Sequence, residues 1–497
     1  MIATRVRASF CFIAGLAAVC AGCSGEALRA GPAEPPTVKI GLSNAGANST
    51  TLLAGLFTSE PLVAAAWDGR PAYRLAESIE ESDDRRALTV TLRRDVKFHN
   101  GEPITAPVVS DLLRRKLGRL PQITAISALD EHHLQITLRK ASSVKPVDLS
   151  RLIVDGSDVG LRTGPFRLAS SNPMVLEAFN EYYQGRPGPQ RIEIRQYATH
   201  RAAWTAMMRH DINVLHEVSR DAIEFVEAGG DIRSYPLLRP YYTALVFNAR
   251  HPVLQRREVR LAINEAIDRD ELVQNGMRGH GMVAEGPFWP YHWAYPHDRF
   301  PVAFNPEAAK LRLDGAGLKV SARSAEQMPS RLAFTCLILS GDDRFERIAL
   351  LVQRQLYAIG IDMRIAPLSA PDITKRLGSG DFDAFILEAV GGRILSWAYD
   401  FWHSPLPGAD VSFRTGYVAA DRALDRLQVA DTDDEVREAL ADVMHVMRND
   451  PPAAFLVWPR EARAADISFE IPHEVDRDVF GTLWQLKLAS QSPVPRP

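Results

Sequence analysis

Residues 240–277 constrain the architecture of this chain more than any other stretch. The segment 241–248 (YYTALVFN) is apolar and rich in β-formers, which predicts a buried strand. Pro252 follows, and then Val259, Ala262, Ile263, Ala266, Ile267 and Val273 recur at helical spacing. Arg256, Arg257, Glu258, Arg260, Glu265 and Asp268 take the other face. A strand running straight into a one-sided helix at mid-chain predicts backbone leaving one folded body and entering a second. Length demands the same, because 497 residues exceed what a single hydrophobic core supports.

Composition narrows the class. A hydrophobic content of 46% with 24% charged residues belongs to a globular protein. A formal net charge of −3 gives no electrostatic footing for nucleic acid. Three of the four cysteines, Cys11, Cys20 and Cys23, fall in the first two dozen residues, which leaves Cys336 alone in the body. Set among Phe334, Leu337 and Ile338, Cys336 is expected to be buried packing.

The N-terminus reads as an export signal. Arg5 and Arg7 precede an apolar run, 8–21, that is too short to span a bilayer as a helix. Its end, Cys20-Ala21-Gly22-Cys23, resembles a lipobox, with Cys20 where leucine is usual. That resemblance makes Cys23 the lipidation site, the alternative being ordinary signal cleavage nearby. Residues 1–22 are then the signal peptide and 23–36 a Pro/Gly-rich tether holding the protein near a membrane face.

Beyond the tether, strands and helices alternate. Residues 38–42 read as a first strand and 88–92 as another; Asn100-Gly101 between apolar flanks marks a hairpin. Residues 123–129 and 133–138 form a second hairpin. Ile192 and Ile194, the helix 202–208 and the strand 211–215 give a β–α–β unit, which requires a parallel sheet. A second set follows: strand 331–339, a helix ending at Gly360, strand 361–365, helix 373–377 and strand 382–387. Residues 421–447 are helical with a break at Thr432, and 451–458 read as a strand. Residues 286–295 (GPFWPYHWAY) are the most aromatic segment, a Pro-punctuated loop in which Trp289 and Trp293 either stack on a ligand or close the lobe.

Motifs for catalysis are absent. There is no G-x-S-x-G, H-E-x-x-H, Walker-type loop or G-x-G-x-x-G. The histidines are scattered apart from His132-His133, and no metal-ligand spacing appears. The reading is therefore of a non-enzyme, without catalytic residues, cofactor or metal.

Several phrases carry a family resemblance. They include Phe247-Asn248 followed by Val259-Arg260, Ala262, Asn264 and Ala266-Ile267-Asp268-Arg269. Thr163-Gly164-Pro165-Phe166, Ile359-Gly360-Ile361-Asp362 and Ser379-Gly380-Asp381-Phe382-Asp383 add to them. Together they resemble the bacterial extracellular solute-binding proteins of the peptide/nickel class, family 5. The resemblance implies an α/β fold of two lobes, the type II periplasmic-binding-protein architecture, each lobe with a mixed, mostly parallel sheet and a ligand cleft between them. Lobe I would span 37–245 with a reduced extra subdomain at about 50–160, lobe II 246–460, and 461–497 would return to lobe I and the tail. It also implies a substrate-binding lipoprotein of an ABC importer, located in the periplasm or at the cell surface. Such a protein works as a monomer, taking a small molecule or oligopeptide to membrane permease subunits. The same fold also suits a tethered sensor or chaperone-like binder, and more remotely a hydrolase.

Open α/β sheets present ligands at the carboxyl ends of strands. The candidate ligand-binding positions are therefore Asn44, Asn248 and Glu388 at strand ends, Trp289 and Trp293 in the aromatic loop, and Arg393, Trp397 and Tyr399 beyond Glu388. Peptide-binding relatives carry an acidic residue after that strand to hold an α-ammonium. This chain has Gly391-Gly392-Arg393 there, which favours a carboxylate or phosphate if Arg393 faces the cleft.

Overall fold

The computed structural model describes residues 36–43, 49–156, 158–219, 222–223, 226, 230–296, 302–320, 330–405 and 413–489. The signal segment, Cys23, Asn44 and the tail at 493–497 lie outside the described residues.

One half of the fold is built on β1 (Thr37–Ser43), whose Val38, Ile40 and Leu42 are buried. It lies between β2 (Arg191–Tyr197) and β3 (Val214–Leu215) and runs parallel to both. The crossover between β2 and β3 is α1 (His200–Met208), capped by the Thr199 hydroxyl, which accepts from the Ala202 N–H. β4 (Ile232–Leu238) follows and pairs antiparallel with residues 460–466 of a later strand.

The other half begins with β5 (Tyr241–Phe247), buried along almost its whole length. Next come α2 (Arg257–Ala266), β6 (Leu332–Leu339), α3 (Asp343–Ala358), β7 (Ile361–Leu368), α4 (Ala370–Ser379) and β8 (Ala384–Val390). β6 is parallel to both β7 and β8, as the alternation of strand and helix predicts. α3 and α4 end against Gly360 (φ +82°) and Gly380 (φ +73°), left-handed positions that favour glycine. Cys336 is fully buried on β6. The 421–447 helix is two helices, Asp421–Val429 and Asp433–Asn449, with Thr432 capping the second.

β9 (Ala453–Asp466) joins the halves and is longer than the strand read at 451–458. Its first part pairs with β5, and its last part pairs with β3 and β4. The strands thus form one mixed sheet in the order β2–β1–β3–β9–β5–β8–β6–β7, extended beyond β2 by Phe166–Ser171 and Met174–Ala178. Hydrophobic clusters on the two sides of the crossing are separate. One gathers Val38, Ile40, Phe166, Ile192 and Phe480, the other Leu245, Val259, Ile263, Phe334 and Leu356.

A smaller body stands beside them. Ala76–Glu81, Ala87–Leu92, His133–Leu138 and Ile123–Ala128 form a four-stranded antiparallel sheet in that spatial order. Leu88, Val90, Phe98, Leu113, Leu134 and Ile136 fill its own core. The Asn100-Gly101 turn is present, with Gly101 at φ +90° and the Phe98 N–H donating to Glu102 O at 2.8 Å.

Candidate functional site

The smaller body faces segments of the β5–β8 half across a polar seam. Trp67 and Asp68 receive hydrogen bonds on their carbonyls, from Trp289 Nε1 and the Trp293 N–H, both at 2.9 Å. Arg70 pairs with Asp433 across the same seam, and its guanidinium carbon lies 3.6 Å from the Trp293 ring centroid. Arg151 reaches Asp400 at 2.8 Å, with both side chains nearly buried, and stacks 4.0 Å over Trp397. Beside it the Ser396 hydroxyl donates to Asp148 at 2.7 Å. Burial raises the pKa of both Asp148 and Asp400, while Arg151 opposes that rise.

A pocket of about 190 Å³ lies along this seam, partly open to solvent. Arg70, Lys145, Asp148, His292, Trp293 and Tyr399 contribute to its lining. Burial lowers His292 to about 4, so the imidazole is neutral at pH 7 and serves as a packing and hydrogen-bonding group. Tyr399 donates its hydroxyl to Asp425 at 3.2 Å and stacks on His403. Trp293 and Tyr399, singled out in the sequence, therefore share one cavity.

Beyond β8 the chain turns sharply. The Gly391 and Gly392 N–H groups both donate to Pro240 O, at 3.2 and 3.1 Å. A Cβ on Gly391 would lie 2.3 Å from the Trp458 ring and 2.8 Å from Pro287 O, so only glycine fits. The turn delivers Arg393 against two indoles, with its guanidinium carbon 4.9 Å from the Trp67 ring and 5.9 Å from Trp289. Its Nη1 reaches Ala65 O at 3.4 Å, and its Nε is buried without a hydrogen-bond partner. Burial lowers the Arg393 pKa, and the charge of Arg477 lowers it further. Asp478 opposes the shift, but its carboxylate is clamped by Arg463 through two bonds, at 2.7 and 3.2 Å. Arg393 adjoins the cavity: a Cβ on Gly69, one of the lining residues, would sit 2.7 Å from Arg393 O.

The remaining candidates are committed elsewhere. β8 runs antiparallel to β5, with Thr243 opposite Glu388, so the end of β5 lies at the far end of β8 from Glu388 and Arg393. Asn248, just past that end, is buried and donates to Phe382 O at 2.6 Å while accepting from the Arg250 N–H. It closes a turn and is not brought together with the others. Glu388 accepts from Arg344 at 3.1 Å, and Arg239 and Arg344 also meet Glu461, at 2.8 and 3.7 Å. That network compensates Glu388. Trp289 is fully buried among Trp67, Tyr291 and Trp458. Trp397 stacks on Phe401 and backs Arg151.

Trp67, Arg151, Asp400 and Arg477 belong to this region and were not reached from the sequence. One signal for its charged framework was available. The strand segment AAFLVWPREARAAD places Arg460, Glu461 and Arg463 inside an apolar run, and buried charges need partners.

The family profile described as bacterial extracellular solute-binding proteins, family 5 middle, matches residues 70–405. The chain belongs to that family. Among curated proteins it is 27% identical over 357 residues to the probable D,D-dipeptide-binding periplasmic protein DdpA of Escherichia coli K12, covering 66% of this chain and 65% of that protein. It is 23% identical over 452 residues to the oligopeptide-binding protein AppA of Bacillus subtilis 168, covering 82% of each. Solved structures share the fold. AppA of Bacillus subtilis with a nonapeptide gives a TM-score of 0.74 at 19% identity, over 92% of this chain and 99% of that one. AgaA of A. tumefacien R10 with agropinic acid gives 0.74 at 20% identity, over 92% and 99%. The architecture is thus the two-lobed periplasmic-binding-protein fold.

Proposed function

We propose that this chain is the solute-capturing component of an ABC importer, tethered through Cys23 outside the cytoplasm. It holds a peptide-like or other small solute between its lobes and passes it to a membrane permease. The observation that carries this reading is the family match over residues 70–405, which takes in Arg70, Lys145, Asp148, His292, Trp293 and Tyr399 of the cavity lining. Relatives with printed roles in binding dipeptides, oligopeptides and nickel support a solute of small or peptide size. We take Trp293, Tyr399 and Arg393 as ligand-facing, with Trp397 supporting Arg151 behind them. The lobe changeover falls at Arg239-Pro240, where backbone pairing passes from β4 to β5.

Thermal-shift screening tests the reading, because a solute that binds only the folded chain raises the unfolding temperature. A library of amino acids, di- to pentapeptides, opines and metal–histidine chelates is expected to contain at least one saturable stabiliser recovered intact after incubation. If every compound leaves the transition unmoved, or the stabiliser is consumed, solute capture is the wrong function.

A further inference from the structure

The charges around the seam are not evenly compensated. Arg239 and Arg344 face Glu388 and Glu461; Arg463 faces Asp478; Arg460 faces Asp476; Arg151 faces Asp400. Arg393 differs. Among the described residues no carboxylate is paired with it, and its one polar contact is the long bond to Ala65 O. The next charge on the same indole is also positive. Arg477 lies 5.6 Å from the Trp67 ring, on the face of the chain returning after β9. Its own partner, Glu474 at 2.7 Å, is a neighbour three residues away and well exposed, a contact of little strength and easily exchanged. Trp67 and Arg393 both keep part of their surface, and the Arg477 side chain is 43% exposed.

A half-buried guanidinium with an unpartnered Nε, sharing an indole with a second guanidinium, is unfavourable. Burial weakens the hydration that would otherwise stabilise it, and the like charge adds repulsion. An oxyanion within reach of both groups relieves both costs. The turn also discriminates among oxyanions. The Gly391 and Gly392 amides are already spent on Pro240 O, so this loop lacks the N–H cradle that phosphate sites use. What is left is planar: two guanidinium forks and an indole, matched to a planar carboxylate.

We infer that Arg393 and Arg477, both packed against the Trp67 ring, form a subsite for a carboxylate group of the transported solute. This deepens the solute-capture reading and rests on it. The solute class is then a small carboxylic acid or a peptide held by its carboxyl end.

The test is isothermal titration of the intact chain with Ala-Ala, Ala-Ala-Ala and citrate, each beside its carboxamide, and with inorganic phosphate. At least one free acid is expected to bind about tenfold or more tightly than its amide, the discrimination of a charge-assisted pair. Arg393→Gln and Arg477→Gln should each remove that preference, and Arg393→Lys should restore part of it. Arg477 is exposed, so its variant keeps the fold even if Arg393→Gln does not. The subsite is overturned if acid and amide bind alike, if no free acid binds, if phosphate exceeds every carboxylate, or if the preference survives in Arg477→Gln. A solute that binds without regard to its carboxyl group removes the subsite alone and leaves solute capture standing.

Discussion

At the scale of single residues, the site depends on Gly391. Its missing side chain lets Tyr242, Pro287 and Trp458 close on the backbone, and that closure aims Arg393 at Trp67. Gly391→Ala forces a methyl group against two rings and a carbonyl. Overpacking of this kind costs roughly 1–3 kcal/mol. Urea unfolding should show that loss, and solute affinity should fall with it, because the turn cannot move without carrying Arg393. Unchanged stability would mean the turn relaxes freely and does not fix the guanidinium. Part of this was legible in the sequence: Gly391-Gly392-Arg393 stands out where an acidic anchor is expected. Trp67 and Arg477 were not legible as its companions. They lie far from Arg393 in the chain, and only tertiary packing brings the three side chains together.

At the scale of elements, α2 shows why its polar residues fall where they do. Helical spacing assigns Arg260 to the solvent face, yet it is buried. Its Nε donates to Pro451 O at 2.9 Å, Asn264 donates to Ala453 O at 3.3 Å, and Arg269, just past the helix, donates to Phe455 O at 2.7 Å. These carbonyls alternate along the entry to β9, on the side opposite β5. The short strand Gly281–Val283 takes over pairing only at Val457–Pro459. Side chains thus supply donors that a neighbouring strand supplies elsewhere, as every buried carbonyl requires. Arg269 also donates to Asn264 O and Ile267 O, and burial lowers its pKa to about 10, which leaves it charged at neutral pH. Arg269→Leu should therefore cost about 3 kcal/mol in urea unfolding, the scale for removing the buried partner of several polar groups. A loss within about 0.5 kcal/mol, as at an ordinary surface position, would show that water replaces the lost donors. Hydrophobic periodicity recovered the helix and the strand. It missed this bracing because a buried arginine and a solvated one look the same in one dimension.

At the scale of the whole molecule, one strand and one short connection hold two cores together. β9 contributes to both halves of the sheet, and Arg239-Pro240 carries the chain from β4 to β5. The need for more than one core followed from chain length, and alternating strands and helices gave the parallel pairings of β1, β2 and β6–β8. The antiparallel match of β5 with β8 was not legible, and it is what separates Asn248 from Arg393. Docking of the smaller body through Arg151–Asp400, Ser396–Asp148 and Trp289–Trp67 borders the pocket in which a guest would sit. Closure is the known movement of two-domain binders around a ligand. A guest trapped there should leave unaltered. Native mass spectrometry of the chain purified from its own host, before and after denaturation, tests this most directly. One small carboxylate-bearing solute per chain is expected, freed with the same mass it had when bound. Finding no solute bound, or recovering fragments in place of the guest, would contradict it.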